Sequence, residues 1–432
     1  MNQAEQITKK LLQKQNVFLT GGAGVGKTTI TREVIRLFEE DAKKVAKLAS
    51  TGMAATLIDG QTLHSFFDFG IASSVKELEI NAKIEPKSKT KKLILSMDLI
   101  VIDEISMVSD ELLEMIKLRL EQANFRGSVL VVGDFLQLPP VVRGFNEVRF
   151  AFESPLWEEF EFLRVELTHI YRTDDKKFIE LLGYVREGFV DESVHNSLNE
   201  FIKPLPQDLS EFTFLFGKNN SAAAHNKKEL QNIDSEVFIK EAQIIKHSKT
   251  IADGQVKRFM EDSRIESELA LKVGAPVLFT RNSWNYFNGE RGLVVGIDAS
   301  FVYVQKGDAK VVKLEAVAHT KFKWDEKVLN GKKEMLEVEE LSIYQFPIKL
   351  AFAITIHKSQ GMSIEDLIIE TNEIFAPSQF YVALSRSSNP KRLNLIAPSC
   401  QWHKIVFVNS KALGFVKENS LPRTSSGFRG VI

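Results

Sequence analysis

The sequence contains a single cysteine, Cys400, among its 432 residues. One cysteine excludes an internal disulfide and a cysteine-based metal site, and it is typical of proteins in a reducing compartment. No apolar run approaches the ~20 residues that cross a bilayer, so no transmembrane helix is expected. The first residues also lack the apolar core of a signal peptide. We therefore expect a cytoplasmic protein that does not associate with a membrane.

A large net charge of either sign is also missing. Lys and Arg number 56 and Asp and Glu number 57, which gives a net charge of −1. No global positive field draws the protein onto nucleic acid, so any nucleic-acid track must be local. The chain is 44% hydrophobic and 26% charged, which is the composition of an ordinary globular protein, and its length suggests about two to four domains.

The sequence does contain a complete phosphate-binding motif. Gly21 to Thr28 reads GGAGVGKT, after the apolar run Val17–Leu19 and before the helix-like stretch Thr29–Glu40. In this strand–loop–helix setting, glycines let backbone N–H groups surround phosphates, and the helix N-terminus adds its dipole. The expected ATP contacts are Gly22, Gly24, Val25, Gly26, Lys27, Thr28 and Thr29. Lys27 should reach the β- and γ-phosphates, while the Thr28 hydroxyl should ligate Mg²⁺.

Two further motifs follow at the ends of apolar strands. Asp103 and Glu104 come after Leu99–Ile102, and Gly133 to Pro140 read GDFLQLPP. Asp103 is predicted to hold Mg²⁺ and Glu104 to activate the attacking water, although adjacent acids can also cap a helix. Gln137 is predicted to bind the γ-phosphate or the lytic water, with a simple turn role as the alternative.

Two arginines late in the chain are candidates for neutralising charge on the transferred phosphoryl group. They are Arg172 in LTHIYRTDD and Arg386 in QFYVALSRS. Arginine fingers act in this way in many nucleotide hydrolases. Spacing alone does not distinguish either one from a surface arginine in a weak salt bridge.

Up to about residue 167, strand-like runs alternate with helical stretches, which is typical of parallel βαβ units. The predicted strands are Val17–Thr20, Val45–Ala49, Leu99–Ile102, Ser128–Val132 and Phe162–Leu167. Because ligands bind at the carboxyl ends of parallel strands, the three motifs should converge on one site. Residues 67–92 break the pattern and carry several lysines, which predicts a small inserted subdomain or, alternatively, a solvated loop with a helix.

A second α/β region follows, interrupted by short β-branched runs in which Asn330–Gly331 is a hairpin signal. We predict an α/β protein with a small β-barrel inserted in its second domain. The predicted limits are 1–66 and 93–167 for the first domain, 67–92 for its insertion, 168–272 and 344–418 for the second domain, 273–343 for the β insertion and 419–432 for a disordered tail.

A series of segments resembles the successive motifs of superfamily 1 helicases. They are GGAGVGKT (21–28), STGMAA (50–55), QTLHSFF (61–67), VIDEISMV (101–108), GDFLQLPPVV (133–142), LTHIYR (167–172), NGERG (288–292), AITIHKSQGMSI (353–364) and QFYVALSRS (379–387). The combination is most similar to the Pif-one (petite integration frequency) helicases of class B, and it covers nearly the whole chain.

This resemblance implies two RecA-like domains with ATP between them, a wedge in the first and an SH3-like barrel in the second. It also implies 5′→3′ movement on single-stranded DNA, unwinding of tailed duplexes, and activity in many members on G-quadruplexes and DNA–RNA hybrids. Gln6 matches the adenine-reading glutamine, with Gln3 as the alternative, and Gly361 should approach the γ-phosphate. The motor core is expected to be monomeric and nucleoid-associated.

A motor that moves along DNA must hold the backbone without reading sequence, which requires hydroxyl, amide and basic groups with aromatic stacking. The candidate DNA contacts are Thr51, Gly52, Thr62, His64, Ser65, Phe66, Pro139, Asn219, His357, Lys358 and Ser359. An isolated histidine is more often structural, but TLHSF and IHKSQG favour a functional role here. Because the net charge is near zero, we expect moderate salt sensitivity.

Two other functions fit parts of the sequence. An ATP-switched single-stranded DNA binding or remodelling protein would share the nucleotide site and the DNA track but would not separate strands. A P-loop small-molecule kinase would need only the first half of the chain, and it would leave GDFLQLPP and the second domain unexplained. Stimulation of ATPase activity by DNA separates the kinase from the other two, and strand separation separates the helicase from the remodeller.

Overall fold

The computed structural model describes residues 2–50, 54–55, 58–141, 147–209, 211–248, 251–263, 265–281, 283–329, 332–397, 401–419 and 428–429. None of the helices in these ranges has the length and apolar character that a bilayer crossing requires. The predicted DNA contacts Thr51 and Gly52 lie outside these ranges, as does Cys400.

The described residues form strands and helices that are numbered here in chain order. The strands are β1 Val17–Gly21, β2 Val45–Ala49, β3 Gln61–Thr62, β4 Leu99–Asp103, β5 Ser128–Val132, β6 Leu163–Leu167, β7 Thr213–Phe216, β8 Val237–Glu241, β9 Gln243–Lys246, β10 Glu268–Lys272, β11 Pro276–Phe279, β12 Arg291–Ile297, β13 Val302–Lys306, β14 Val311–Leu314, β15 Val317–Leu329, β16 Lys332–Gln345, β17 Ile348–Leu350, β18 Ala353–Thr355, β19 Leu367–Glu370, β20 Leu393–Ile396 and β21 Phe428–Arg429. The helices are α1 Gln3–Leu12, α2 Lys27–Glu40, α3 Leu63–Phe66, α4 Val75–Ile80, α5 Ser88–Leu95, α6 Asp110–Gln122, α7 Leu156–Glu159, α8 Lys176–Arg186, α9 Glu192–Asn199, α10 Asn219–Asn232, α11 Asp253–Ser263, α12 Gln379–Leu384, α13 Trp402–Ile405 and α14 Ser410–Glu418.

A seven-stranded sheet forms the first domain, in the order β21-β6-β1-β5-β4-β2-β3. Strands β1 to β6 pair in parallel, as the alternating sequence pattern predicts. Every residue of β1, β4 and β5 is buried, as expected for strands with helices on both faces. The five strands predicted for this domain are present with ends within one residue of the prediction, and the two-residue strands β3 and β21 of the described sheet were not predicted.

The predicted insertion at 67–92 is two short helices, α4 and α5, that pack tightly against the first domain. Phe67, Phe69 and Leu78 are fully buried in the same core as the sheet. Arg119 of α6 is also fully buried, and its guanidinium donates hydrogen bonds to backbone carbonyls of the insertion, including one of 2.7 Å to Ile84. These contacts favour a packed subdomain over a solvated loop, and its limits stay a prediction. Its last helix continues to Leu95, beyond the predicted limit.

A second parallel sheet, in the order β18-β7-β19-β20, forms the core of the second domain. Three antiparallel sheets lie between β7 and β18 along the chain: β14-β13-β12-β11-β17, β15-β16-β9 and β10-β8. Because β8, β9, β10 and β17 fall outside 273–343, the predicted limits of the β insertion are too narrow. Local alternation does not reveal that Ile244 pairs with Ile343. The SH3-like assignment itself stays a prediction.

The predicted hairpin is present as the long antiparallel pair β15–β16. Leu329 pairs with Lys332, and the two turn residues between them lie outside the described ranges. The hairpin extends to the first domain, where Asp325 forms a 2.8 Å salt bridge with Lys89 of the insertion. Trp324 and Met335 of the hairpin pack against the first-domain core. The two halves of the chain are thus in contact through this hairpin.

The disordered tail at 419–432 stays a prediction for most of its length, because most of those residues lie outside the described ranges. Within the described part, Phe428 and Arg429 form the antiparallel strand β21, with Phe428 opposite Leu167 of β6. Those two residues therefore depart from the prediction.

Candidate active site and nucleic-acid interface

The phosphate-binding loop lies between β1 and α2, as the motif predicts. Gly24 and Gly26 have φ of 77° and 87°, in the left-handed region that favours glycine. Gly26 directly precedes α2, whose first turn carries Lys27, Thr28 and Thr29, so free backbone N–H groups face the loop. The Thr28 and Thr29 side chains are exposed, while Val25 is buried in the core beneath.

The ammonium group of Lys27 lies over the loop. It donates hydrogen bonds of 2.7 and 2.8 Å to the carbonyl oxygens of Gly21 and Gly22. Burial lowers the pKa of Lys27, and the carboxylates of Asp134 and Glu104 partly offset that effect. The ammonium therefore has weak carbonyl partners that a phosphate oxygen would readily replace, because hydrogen bonds between two charged groups are stronger.

Asp103 ends β4, and Glu104 follows it in a left-handed conformation with φ of 53°. The Glu104 N–H donates a 2.8 Å hydrogen bond to the Asp103 carboxylate. Burial, and then the Asp103 charge, raises the pKa of Glu104 to about 7. Burial also raises the pKa of Asp103. The two carboxylates lie close together at the end of a buried strand. In this arrangement one carboxylate can bind a cation while the other accepts a proton.

Asp134 of GDFLQLPP forms a buried ion pair with Arg186 at the end of α8. The guanidinium donates two hydrogen bonds, of 3.0 and 2.7 Å, to the two carboxylate oxygens. Burial alone would raise the pKa of Asp134, but Arg186 outweighs it and the pKa lies below its usual range. Gln137 is buried nearby, and its side-chain amide lies 3.4 Å from Asp134. No sequence pattern had indicated Arg186.

The second domain contributes two arginines to the same cleft, the half-buried Arg172 and the buried Arg386. Arg172 donates hydrogen bonds of 2.9 Å to Ser363 Oγ and 2.6 Å to the Ser385 carbonyl. Arg386 is 2% exposed and bonds to carbonyl and hydroxyl oxygens, including the Ser359 carbonyl at 3.3 Å. Burial lowers the pKa of Arg172 to about 10, and burial together with Arg172 lowers that of Arg386 to about 9.

Tyr381 on α12 joins the second domain directly to the phosphate-binding loop. Its hydroxyl accepts a 2.8 Å hydrogen bond from the Ala23 N–H. A Cβ atom on Gly22 would lie 3.2 Å from the same hydroxyl, and one on Gly24 would lie 2.9 Å from Arg172. The loop glycines therefore allow the second domain to approach, in addition to surrounding phosphates. Tyr381 is a residue that the sequence analysis missed, although its motif was recognised.

The last two residues predicted to contact the nucleotide are Gln6 and Gly361. Gln6 lies half-buried on α1, whose apolar face packs against α2 in the first-domain core. Gly361 has φ of 78° and follows the short turn that carries Ser359. No contact in the described residues joins either one to the loop, so their roles stay predictions.

A cavity of about 1660 Å³ lies between the first domain and the β insertion. The first domain lines it with Thr62, His64, Ser65 and Pro140. The opposite wall includes Arg258 and Phe259 of α11, Arg281, and His319 and Lys321 of β15. Three of the predicted DNA contacts therefore line one cavity, called the channel below, whose lining carries both basic and acidic side chains.

The other candidate DNA contacts are placed differently. Phe66 is buried in the first-domain core. The Ser359 hydroxyl is fully buried and donates a hydrogen bond to the Ile356 carbonyl. Neither side chain is therefore accessible to a ligand in this structure. This is a correction of the prediction for both residues. Asn219 is exposed at the start of α10, and His357 and Lys358 lie on a short turn, but none of the three lines the channel, nor does Pro139.

Local hydrogen bonds explain part of the TLHSF motif. The Thr62 hydroxyl caps α3 by accepting from the Ser65 N–H, and the His64 ring lies 3.1 Å from the Ala72 carbonyl. These residues fix the turn and still face the channel. A structural role and a binding role are therefore compatible at both positions.

Comparison with known proteins gives one consistent family. Residues 2–196 match the PIF1-like helicase family. The chain is 36% identical to the ATP-dependent DNA helicase Pif1 of Campylobacter jejuni, with 95% of this chain and 96% of that protein covered. A crystal structure of Bacteroides Pif1 with ADP-AlF4 matches with a TM-score of 0.81 at 27% identity, covering 100% of this chain and 99% of that chain.

The structure of Bacteroides Pif1 bound to single-stranded DNA matches with a lower TM-score of 0.62, also at 27% identity, covering 99% of this chain and 98% of that chain. These proteins share the α/β architecture described above over nearly their full lengths. From its sequence, its fold and these matches together, the chain belongs to the PIF1-like helicase family.

Proposed function

We propose that the chain is an ATP-dependent DNA helicase that moves 5′→3′ along single-stranded DNA and unwinds duplex DNA ahead of it. The observation that carries this proposal is the position of Arg172, which lies against the phosphate-binding loop of another domain, with the Arg386 charge acting on Glu104. The helicase activity named for the relatives supports this proposal. The complex of the Bacteroides protein with single-stranded DNA supports single-stranded DNA as the partner. The polarity, and activity on G-quadruplexes and DNA–RNA hybrids, follow from the family resemblance.

The loop and Lys27 bind the phosphates of ATP. Lys27 leaves the Gly21 and Gly22 carbonyls and bonds to the β- and γ-phosphates, while the N–H groups at the start of α2 bind the same oxygens. Buried charges in the site act at low dielectric, so each contact stabilises phosphate more than it would in water.

Thr28 and Asp103 would hold Mg²⁺, which supplies charge neutralisation on the phosphates when bound. The residues fit the ion, because Mg²⁺ is usually bound by one or two carboxylates together with substrate phosphates and water. Asp103 lies in the first-domain cleft and the Thr28 hydroxyl is exposed in the same first turn as Lys27. The described residues contain no cluster of three or more acidic, His or Cys side chains that would suit a protein-only metal site.

Glu104 acts as the general base for the attacking water. Its raised pKa makes it a better proton acceptor than an exposed carboxylate. Gln137 orients that water or the γ-phosphate, and Asp134 holds Gln137 near it. Arg172 and Arg386 then neutralise the charge that develops on the phosphoryl group, an effect worth about a thousandfold or more in rate.

Hydrolysis is coupled to movement through the two domains. Negative charge in the cleft attracts Arg172 and Arg386 and draws the domains together, and its loss on hydrolysis releases them. The channel lined by Thr62, His64 and Ser65 binds single-stranded DNA, including the tail of a partly duplex substrate. We propose that the motor core acts as a monomer in the cytoplasm, associated with the nucleoid, and that the insertion with α4 and α5 is the wedge.

The test is ATP hydrolysis with and without single-stranded DNA. We expect DNA to stimulate turnover, and we expect Lys27→Ala to reduce turnover by about a hundredfold or more because the phosphates lose their cation. The matched control is Lys9→Ala, since Lys9 is exposed on α1 away from the loop. Normal turnover in Lys27→Ala would refute the site, and a lack of DNA stimulation would favour the small-molecule kinase.

A further inference from the structure

Trp284 is fully exposed, at 101% of its reference accessible area. The other tryptophans behave as core residues, since Trp157 and Trp402 are 5% and 0% exposed and Trp324 is packed against the first-domain core. A large aromatic side chain left wholly in water lacks the stabilisation that burial would give. Its large apolar face is therefore available for contact with a ligand.

The turn that carries Trp284 is ordered by internal contacts. The Ser283 N–H donates a 2.8 Å hydrogen bond to the Tyr286 carbonyl. The Tyr286 ring is buried and stacks on Phe279 of β11, with ring centroids 4.3 Å apart and planes 15° apart. The Phe287 N–H donates to the Glu290 carboxylate at 2.9 Å. The turn is thus anchored on the β insertion, and its tip holds the indole away from the protein.

The exposed indole is continuous with the proposed DNA channel. A second cavity of about 500 Å³ is lined by Arg281, Ser283, Trp284, Tyr286 and Val317. Arg281 also lines the large channel, and so does Ala318, the neighbour of Val317 on β15. The second cavity is therefore an extension of the channel past Arg281. Its volume lies within the ~300–1,000 Å³ of ordinary small-ligand sites, which is enough for one nucleotide.

We propose that Trp284 is a base-stacking residue that holds a nucleotide of single-stranded DNA where the strand passes Arg281, with the guanidinium on the adjacent phosphate. An aromatic ring beside a basic group is the arrangement that binds single strands without reading their sequence, because every base has a stacking face. This inference rests on the proposed function, since it assumes that the channel binds single-stranded DNA. It adds a contact from the β insertion to the contacts from the two parallel domains.

The experiment measures intrinsic tryptophan fluorescence during titration with an oligothymidylate, in the full chain without ATP. Stacking of a base on an indole quenches its emission, and the other three tryptophans are wholly or partly buried, so we expect quenching that is lost in Trp284→Phe. The Phe variant keeps an aromatic ring and should bind within a few-fold of the wild type. Trp284→Ala should raise the Kd by about 5- to 100-fold.

The matched control is Phe189→Ala, because Phe189 is also an exposed aromatic side chain but lines neither cavity. It should leave both quenching and Kd unchanged. If the wild type binds the oligonucleotide while Trp284→Ala binds it equally well, this inference fails alone, and the exposed indole suits a protein partner better. If the wild type does not bind single-stranded DNA, the proposed function fails and the inference fails with it.

Discussion

Two arginines, the half-buried Arg172 and the buried Arg386, give the nucleotide cleft its electrostatic character. The hydrogen bonds of Arg172 and Arg386 in the described residues go to carbonyl and hydroxyl oxygens, so their charges are solvated without being neutralised. Burial, and then the Arg172 charge, lowers the pKa of Arg386. A third arginine, Arg186, differs because Asp134 neutralises it. The cleft therefore has two cations available for phosphate and one that joins the domains.

At the residue scale, we predict that Arg186→Ala lowers both the thermal midpoint and the ATPase kcat. The substitution leaves the Asp134 carboxylate buried without its partner, which costs about 3–5 kcal/mol for a buried pair. Adding Asp134→Asn should restore part of the midpoint in a double-mutant cycle. The control is Arg36→Ala, because the exposed pairs of Arg36 with Glu33 and Glu40 contribute little. Equal midpoints for Arg186→Ala and wild type would contradict the prediction.

These residues also show what sequence can and cannot reveal about the site. Lys27, Asp103 and Glu104 were found because each belongs to a contiguous pattern in which strand, loop and chemistry are adjacent in the chain. Arg186 and Tyr381 were missed because their partners, Asp134 and Ala23, are remote in sequence. Phe66 was assigned to DNA because it follows TLHS, but helix geometry turns its ring into the core.

At the scale of elements, the first sheet was predictable and the β insertion was less so. Each parallel strand of the first domain is a short apolar run between helices, so its limits appear in the sequence. The strands of the β insertion pair across long separations, as β9 does with β16, and several of them are largely exposed. Local alternation therefore indicates strands in this region but not which sheet contains them.

Substitutions in the insertion with α4 and α5 can test whether this element acts as the wedge. Removing residues 67–92 would also remove Phe67 and Phe69 from the core, so deletion would confuse unfolding with loss of function. Ile71 and Ile80 are instead 72% and 74% exposed, and apolar side chains at a wedge tip can separate stacked base pairs. We predict that Ile71→Ser combined with Ile80→Ser lowers unwinding several-fold while DNA-stimulated ATPase activity is kept.

The control for that double variant is Leu12→Ser, since Leu12 is an exposed leucine on α1. Its unwinding rate should match that of the wild type. Parallel losses of unwinding and ATPase activity in the Ile71/Ile80 variant would point to general destabilisation. Undiminished unwinding would show that the insertion does not act as the wedge through these side chains.

At the scale of the whole molecule, contacts connect the nucleotide loop to the β insertion in a few steps. Arg172 donates to Ser363, and a Cβ atom on Gly289 would lie 2.8 Å from the Ser363 carbonyl. Gly289 ends the turn that carries Trp284 and packs closely against this segment. When phosphate draws Arg172 toward the loop, the segment with Ser363 and the turn beside it are placed to respond. This path offers a physical connection between hydrolysis and the grip on DNA.

The measurement that tests the proposed motor most directly is ATP-dependent unwinding of duplexes that carry either a 5′ or a 3′ single-stranded tail. We expect unwinding of the 5′-tailed duplex only, with Lys27→Ala inactive on both. Unwinding of only the 3′-tailed duplex would keep the motor but contradict its direction. If neither duplex opens while single-stranded DNA still stimulates ATP hydrolysis, the chain is a remodelling protein and not a helicase.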